Sequence, residues 1–376
     1  MNPAFLFIRS PIVLVAACGF AFTGCRIMDD GPRRPRQETA RSEPANPAVA
    51  PPAPVAPPTE GGSDAQVSAS VLRERAMETV ESLSRDEDAQ VRANAVEAAS
   101  YAPQRLRGVI DAGLTDTSPG VRTVALMAVG REKIRDLAKR AVGPLRDQRS
   151  EVRAAAIYAL ANNGQEVDLS PLATVLLNDQ SPWASRQAVF ILGELRNPTA
   201  IPLLASAARQ RTGSLPTGQQ RVFELQIAEA LVKLGQEDQL GVLRAALYPQ
   251  QPEDLESAAL AAQVLGELND RKSIGQLQAL LAYRERSGPG RDGNGYPAEV
   301  RLSIAGALAR MGVADGVAVA EEFRAAENPA LRAQAAFVYG FAGGPVSLGR
   351  LAEMLQDPLP QVRIAAAGAI LRAGNR

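Results

Sequence analysis

The chain has 376 residues, enough for two ordinary domains or for one long array of repeats. Apolar residues make up 46% of it and aromatic residues only 4%, so its core must come from alanine, leucine and valine. Such a composition suits close helix packing and disfavours a β-sandwich. The 41 basic residues equal the 41 acidic ones, which gives no support for nucleic-acid binding. The absence of histidine removes the commonest general base and metal ligand.

Residues 1–25 predict an export signal. A single basic residue, Arg9, precedes an uncharged apolar run from Pro11 to Phe22. This run is too short to span a bilayer as a helix, which needs about 20 residues, and its length is typical of the apolar region of a signal peptide. Both cysteines of the chain lie in this segment, so no disulfide framework or cysteine-rich metal site is expected in the rest of the protein.

The residues around Cys25 resemble a bacterial lipobox, in which the cysteine is lipidated and becomes the first residue of the mature protein. Cys18 is an alternative, although it leaves a shorter apolar run after Arg9. A plain secretory signal or a short anchor also stays open. In the lipoproteins that this segment resembles, aspartate after the cysteine retains the protein at the inner membrane. Here Arg26 follows Cys25, so the resemblance implies a lipid-anchored protein on the periplasmic or extracellular side, at the outer rather than the inner membrane.

Residues 26–67 predict a disordered tether rich in proline and alanine. Nine of the 27 prolines lie between residues 31 and 60, and no aromatic residue occurs between Phe22 and Tyr101. Such a segment cannot bury enough apolar surface to offset the entropy lost on ordering. Fully extended, about 40 residues could reach on the order of 120 Å from a membrane anchor.

From about residue 68 the chain repeats one pattern, with aspartate at position 0, valine at 5, arginine at 6 and alanine at 9. Five copies begin with the aspartate, at Asp86, Asp116, Asp147, Asp179 and Asp357. Four further copies keep the apolar pattern without it and are predicted to begin at residues 221, 252, 295 and 326. Two longer intervals contain insertions near residues 211–220 and 284–297.

Each copy predicts two helices. The aspartate can cap the second helix, proline suits its start, and a glycine at position 14 is expected to end it. The apolar positions 5, 9, 12 and 13 share one face of that helix. Because one helix pair cannot bury both of its faces, each copy must pack against the next.

This pattern resembles HEAT repeats, and its period near 31 residues is similar to the short bacterial form that is also met in phycobilisome-lyase-like proteins. The resemblance implies an all-α fold, a right-handed α-solenoid of about nine HEAT-like helix pairs over residues 68–376. It also implies that the aspartates and arginines form a structural ladder between repeats rather than catalytic pairs. The predicted ladder residues are Asp86, Arg92, Asp116, Arg122, Asp147, Arg153, Asp357 and Arg363. Copies five to eight lack the aspartate, so their joints are expected to be looser.

Position 11 of the second helix points away from the apolar face and is expected on the concave surface of the solenoid. Large apolar side chains at this position in neighbouring repeats would form an exposed patch of the kind that binds proteins. The predicted partner-binding residues are Met127, Tyr158, Phe190 and Phe337 at position 11, and Trp183 at position 4 on the same exposed side. The alternative is that the curvature of the array packs these rings against adjacent helices.

These features predict a membrane-tethered scaffold outside the cytoplasm that binds a protein partner on its concave face. No catalytic residue, metal, cofactor, small-molecule substrate or nucleic acid is expected. The segment GPGRDG at residues 288–293 has the glycine spacing of a nucleotide-binding loop, but no strand precedes it, so it is interpreted as an insertion loop. Two alternatives stay open: a bilin-lyase-like enzyme or chaperone, supported only by analogy of fold, and a purely structural envelope spacer.

Overall fold

The computed structural model describes residues 69–211, 217–251, 254–283 and 295–374, which all belong to one compact unit. These ranges form eighteen α-helices and contain no strand. None of the described helices combines the length and the apolar character that crossing a bilayer requires. The export signal with Cys18 and Cys25, the tether, half of the first insertion and most of the second lie outside the described residues.

The helices alternate between the first and the second helix of each repeat. The first helices are α1 (Ala69–Leu83), α3 (Arg107–Gly113), α5 (Arg135–Ala138), α7 (Ser170–Asn178), α9 (Ile201–Arg211), α11 (Leu240–Ala245), α13 (Ile274–Ala282), α15 (Asp315–Phe323) and α17 (Gly344–Met354). The second helices are α2 (Ala89–Ala99), α4 (Pro119–Arg131), α6 (Ser150–Asn162), α8 (Pro182–Glu194), α10 (Thr217–Lys233), α12 (Leu255–Glu267), α14 (Ala298–Arg310), α16 (Pro329–Ala342) and α18 (Pro360–Ala373). A 3₁₀ segment, Lys139–Arg146, continues the short helix α5. The predicted all-α solenoid of about nine helix pairs is confirmed, and its core is mainly alanine, leucine and valine.

The second helices form a closed series. Each packs beside the second helix of the next repeat, and α18 at the end of the chain packs against α1 and α2. At this closure, a Cβ atom added to Gly368 would lie 3.3 Å from the Cβ of Ala98, and Arg73 Nη1 donates to the carbonyl of Leu371 at 3.4 Å. Open repeat arrays need terminal repeats with a polar outer face. Here the first and the last repeat cover each other instead.

Glycine at position 14 lets neighbouring second helices approach closely. A Cβ atom at Gly266 would lie only 2.8 Å from the Cα of Ala307, and one at Gly340 only 2.9 Å from the Cα of Ala369. The prediction that this glycine ends the helix is wrong, because it lies inside the helix and its missing side chain makes room for the next backbone. The glycines in this position are Gly130, Gly193, Gly266 and Gly340.

In six of the nine repeats the second helix ends at position 15, and position 17 adopts the left-handed conformation. Glycine occupies this position at Gly164, Gly235 and Gly312, with φ between 76° and 95°. The non-glycine residues Lys133, Arg196 and Asn269 take the same conformation in other repeats, with φ of 50–52°. The N–H of the following residue then bonds back into the helix, as Ile134 does to the Val129 carbonyl at 3.1 Å, which satisfies a carbonyl at the helix end.

The fifth repeat begins at residue 218, so the predicted start at 221 is wrong. A Cβ atom at Gly193 of the fourth repeat would lie 2.9 Å from the Cα of Ala230, which places Ala230 at position 12. Gly235 has the left-handed φ of position 17. This repeat lacks the aspartate and the arginine that mark the register, and its helix α10 begins about one turn earlier than the other second helices.

Arginine at position 6 joins a repeat to its neighbour. Arg92 Nε and Nη2 each lie 2.9 Å from a carboxylate oxygen of Asp116 in the next repeat. Arg92 Nη1 donates to the carbonyls of Asp86 and Glu87 in its own turn, at 2.9 and 3.0 Å. The same two-pronged contact with the carboxylate joins Arg122 to Asp147 and Arg332 to Asp357. The sequence pattern missed Arg332, since its own repeat lacks the aspartate.

The aspartate at position 0 also organises its own turn. Asp116 Oδ1 accepts the backbone N–H of Ser118 at 2.8 Å, and Asp147, Asp179 and Asp357 accept the N–H two residues on in the same way. Since these N–H groups belong to the residue before the helix, the aspartate stabilises the turn rather than the first N–H groups of the helix. Burial alone would raise the pKa of Asp116, but the hydrogen bonds from Arg92 and Ser118 hold it below its ordinary value.

Repeats without the aspartate are joined by other ion pairs. Arg244 Nε and Nη2 lie 2.8 and 2.6 Å from the carboxylate of Asp270. Arg221 pairs with the buried Asp254, whose Oδ2 also accepts the backbone N–H of Gln250 and Gln251. The joints that were expected to be looser therefore contain substitutes for the ladder.

Replacing a position-14 glycine should weaken the array. Gly266→Ala is expected to lower the free energy of unfolding by about 1–3 kcal/mol, because the new methyl group meets the backbone of Ala307 and not a movable side chain. Gly306→Ala in α14 is the matched control, since a Cβ atom there comes only within 4.0 Å of Val338. It should raise the free energy of unfolding by up to about 1 kcal/mol. Urea unfolding followed by circular dichroism measures both, and equal effects would contradict the close approach.

The ladder should make the stability sensitive to acid. Hydrogen bonds from Arg92 and Arg332 lower the pKa of Asp116 and Asp357 against the opposing effect of burial. Their contribution is therefore complete above the unfolded-state pKa of about 3.9 and is lost as the pH falls through the lower folded-state pKa. We expect the free energy of unfolding to decline below about pH 4. In Asp357→Asn it should be about 1–3 kcal/mol lower at pH 6 and should decline less steeply in acid. Urea titrations from pH 6 to pH 3 test this, and an unaltered slope in the variant would refute it.

Candidate functional site

Arg153 departs from the ladder. Its Nη1 donates to the carbonyls of Asp147 and Gln148 at 2.8 and 3.0 Å, as Arg92, Arg122 and Arg332 do in their own turns. Within the described ranges, however, no ion pair or side-chain hydrogen bond joins Arg153 to a carboxylate. In the part of the chain that the structure describes, Arg363 of the last repeat likewise makes only the two carbonyl contacts, at 2.9 Å each. The predicted ladder residues thus divide into paired arginines and two unpaired ones.

A groove of about 450 Å³ lies beside Arg153, between α6 and the start of α7. Its polar lining includes Arg153, Asp168, Ser170 and Thr174. Asp168 accepts the backbone N–H and the hydroxyl of Ser170 at 2.9 and 2.8 Å, and these hydrogen bonds lower the pKa of its carboxyl group. The apolar lining includes Leu145, Ile157, Val167, Pro171 and Val175. The groove therefore combines apolar walls with a guanidinium group held by backbone carbonyls.

A network of charged side chains lies at the carboxyl ends of the second helices. Lys233 pairs with Glu194 and, at 2.9 Å, with Glu229. Burial opposes the charge on Lys233, but Glu229 and Glu194 outweigh it and raise the pKa of the ammonium group. Arg131 Nη2 lies 2.9 Å from Glu97 in the same way. Since each charge has an opposite partner, the network can stay charged although it is largely withdrawn from solvent.

Aromatic rings continue this network near the closure. The guanidinium of Arg372 lies 3.9 Å from the ring centroid of Phe341 and 5.4 Å from that of Tyr101. Burial raises the pKa of the Tyr101 hydroxyl to about 12. The cavity beside Phe190 and Lys233 measures only about 10 Å³, so the network leaves no room for a ligand there. We therefore assign it a role in packing.

The predicted partner-binding residues are not on an open surface. Met127 and Tyr158 are only 3% and 2% exposed, and Trp183, Phe190 and Phe337 are partly buried. The expectation that position 11 is exposed is wrong, because the close approach of the second helices places it against a neighbour. A Cβ atom at Gly130 would lie 2.5 Å from the Tyr158 ring, whose hydroxyl accepts Asn162 Nδ2 at 3.3 Å. The alternative, packing against adjacent helices, describes these side chains.

Tyr283 and Tyr296, which the sequence pattern did not single out, pack together, and with the nearby exposed Tyr248 we call them the tyrosine cluster. The ring centroids of Tyr283 and Tyr296 lie 5.4 Å apart, and Tyr283 is 50% exposed and Tyr248 44%. Burial, Tyr283 and Tyr248 all raise the pKa of the Tyr296 hydroxyl. Tyr283 and Tyr296 flank the second insertion, which is the signal that sequence reasoning could have used.

In the described part of the chain, no group of three or more histidine, cysteine, aspartate or glutamate residues is arranged to hold a metal ion.

Comparisons with known proteins identify the repeat. A family model for HEAT repeats matches residues 106–184 and 144–216. No curated protein matches the chain. Among solved structures, the chain is similar to an engineered protein (18% identity, 83% of this chain and 96% of that chain, TM-score 0.33) and to human deoxyhypusine hydroxylase in complex with glycerol (16%, 82% and 99%, 0.36). It is also similar to Kap121p bound to RanGTP, of which it covers 37%, with 12% identity over 82% of this chain and a TM-score of 0.34.

At these identities and TM-scores, the structural likenesses carry no argument about what the protein does. The family model and the helix pairs joined by aspartate–arginine contacts do agree with each other. The matched residues include all helices from α3 to α9 and the ion pair between Arg122 and Asp147. The protein is thus an α-solenoid that contains HEAT repeats.

Proposed function

We propose that the protein is a non-enzymatic scaffold, tethered to a membrane outside the cytoplasm, that binds a protein partner through the tyrosine cluster. The observation that carries this proposal is the exposure of Tyr248 and Tyr283 beside Tyr296. Tyrosine is enriched at the centres of protein interfaces, where a few aromatic anchors contribute most of the binding energy. Repeat solenoids offer the extended surfaces that such interactions use.

The geometry of the tyrosine cluster suits a protein ligand. Two of its rings already pack against each other, so little side-chain entropy remains to be lost on binding. The hydroxyl groups offer hydrogen bonds at the edge of an apolar surface. The other large apolar side chains that are exposed in the described ranges are aliphatic residues on several different elements: Val71, Val142, Val242, Val346 and Leu359.

The proposed tether rests on the sequence of residues 1–67. The apolar run that ends at Phe22, followed by Cys25, supports lipidation of Cys25, with Cys18 as the alternative. Arg26 supports the outer membrane by the resemblance to bacterial lipoproteins. The proline-rich segment would then hold the solenoid away from the lipid surface.

Removing two exposed rings of the tyrosine cluster should abolish partner binding. We expect a protein captured by wild type in an in-cell crosslinking pull-down to be reduced at least about 10-fold with Tyr248→Ser, Tyr283→Ser, because aromatic anchors at interfaces contribute 1 kcal/mol or more each. Val346→Ser, at a side chain that is 68% exposed, is the control and should capture as much as wild type. Circular dichroism confirms that all three are folded. Equal capture by all three would move binding elsewhere, and no capture by any would support a structural spacer.

Lipidation should depend on Cys25. Mass spectrometry of the protein extracted from membranes is expected to find the lipid on Cys25 as the first mature residue, and Cys25→Ser should release the protein from the membrane fraction. Cys18→Ser is the matched control and should keep the protein membrane-bound. Membrane association that survives Cys25→Ser and is lost in Cys18→Ser would reverse the assignment, and retention in both would point to a plain anchor.

A further inference from the structure

The ladder is an internal template for carboxylate binding. Arg92, Arg122 and Arg332 each hold one aspartate with Nε and Nη2, while Nη1 is held by two backbone carbonyls. The paired side chains are 11–20% exposed, so these contacts are largely shielded from water. Two parallel charge-assisted hydrogen bonds along one edge of a guanidinium are the strongest and most specific way in which arginine binds a carboxylate.

Arg153 has the same backbone contacts as the paired arginines but no aspartate partner in the described residues. The carbonyls of Asp147 and Gln148 hold its Nη1 as in the paired repeats, so the guanidinium is already oriented. The entropy lost when a carboxylate binds is correspondingly small. In the described residues no carboxylate pairs with the Nε–Nη2 edge.

The groove beside Arg153 adds the features of a binding site. Its volume of about 450 Å³ is within the usual range of ligand sites and exceeds what a single ion needs. Ile157, Val167 and Val175 supply apolar wall, and Ser170 and Thr174 supply hydroxyl groups. Asp168 can accept an N–H group and repels a second anion. The lining therefore suits one carboxylate joined to an apolar and amide-bearing chain.

We propose that this groove binds a segment of a partner protein that presents one aspartate or glutamate next to apolar residues. The carboxylate of that residue binds the Nε–Nη2 edge of Arg153, which in three other repeats holds an aspartate. The internal template supports a protein ligand, because in three other repeats the same arginine geometry holds an aspartate on a turn of the polypeptide. The site is distinct from the tyrosine cluster, which lies on later repeats, so failure of either proposal leaves the other standing.

The probe is a fluorescent heptapeptide that copies residues 114–120, LTDTSPG, the turn whose Asp116 is bound by Arg92 in the folded protein. Fluorescence polarisation with the full chain should show saturable binding. The same peptide with asparagine in place of aspartate should bind at least about 10-fold more weakly, because a neutral amide cannot replace two charge-assisted hydrogen bonds.

Three variants decide whether binding takes place at the groove. Arg153→Met should weaken binding of the aspartate peptide at least about 10-fold and leave the residual binding equal for both peptides. Thr174→Glu, at an exposed side chain in the groove, should weaken it similarly by placing a competing carboxylate near Arg153 while preserving the ladder. Arg363→Met is the matched control, since Arg363 makes the same carbonyl contacts and does not line the groove, and it should bind like wild type.

Thermal unfolding followed by circular dichroism shows that each variant is folded, and Thr174→Glu keeps the test valid even if Arg153→Met is unstable. Three results would overturn the proposal. These are no saturable binding by wild type up to about 5 mM peptide, equal affinity for the aspartate and asparagine peptides, or an equal loss of binding in Arg153→Met and Arg363→Met.

Discussion

The close approach of neighbouring second helices at position 14 is the contact on which the rest of the array depends. At Gly266 and Gly340 the backbone of the next helix lies where a Cβ atom would stand, so only glycine allows this spacing. Helices that meet so closely at their carboxyl ends bring the last helix, α18, back to the first repeat. The closure gives every repeat two neighbours, and each apolar face is then covered by another copy of the same unit.

The same closeness determines which surfaces remain for binding. Position 11, which an open solenoid would display, is pressed against the adjacent helix, as Tyr158 is against Gly130. The carboxyl ends of the second helices are filled by paired charges and by guanidinium groups that lie on aromatic rings, such as Arg372 on Phe341. What stays accessible lies beside the irregular parts of the array, at the groove by Arg153 and at the tyrosine cluster. Both proposed binding surfaces are therefore places where the repeat departs from its own pattern.

The arginine at position 6 has two different roles in this array. In three repeats the Nε–Nη2 edge of the position-6 arginine binds the aspartate of the next repeat. The contact joins two repeats through groups that are mostly shielded from water. At Arg153 the backbone carbonyls still orient the guanidinium, but no joint is made and a groove opens beside it. The arginine that stabilises the joint in other repeats is therefore an oriented, unpaired guanidinium at this position. Polar groups that are oriented in advance favour ligand binding.

The sequence by itself determined the all-α class, the helix pairs and the aspartate–arginine contacts. Each repeat of about thirty residues contains both the apolar face of its helices and the residues that form its turn. It also marked the position-14 glycines, although their function as contact points could be assigned only when Ala307 and Ala369 were seen opposite them. The closure of α18 on α1, the burial of Met127 and Tyr158, the register of the fifth repeat and, in the described residues, the unpaired guanidinium of Arg153 were decided by tertiary structure. Each of these depends on how small rotations between successive repeats add up around the array, and no local run of residues encodes that sum.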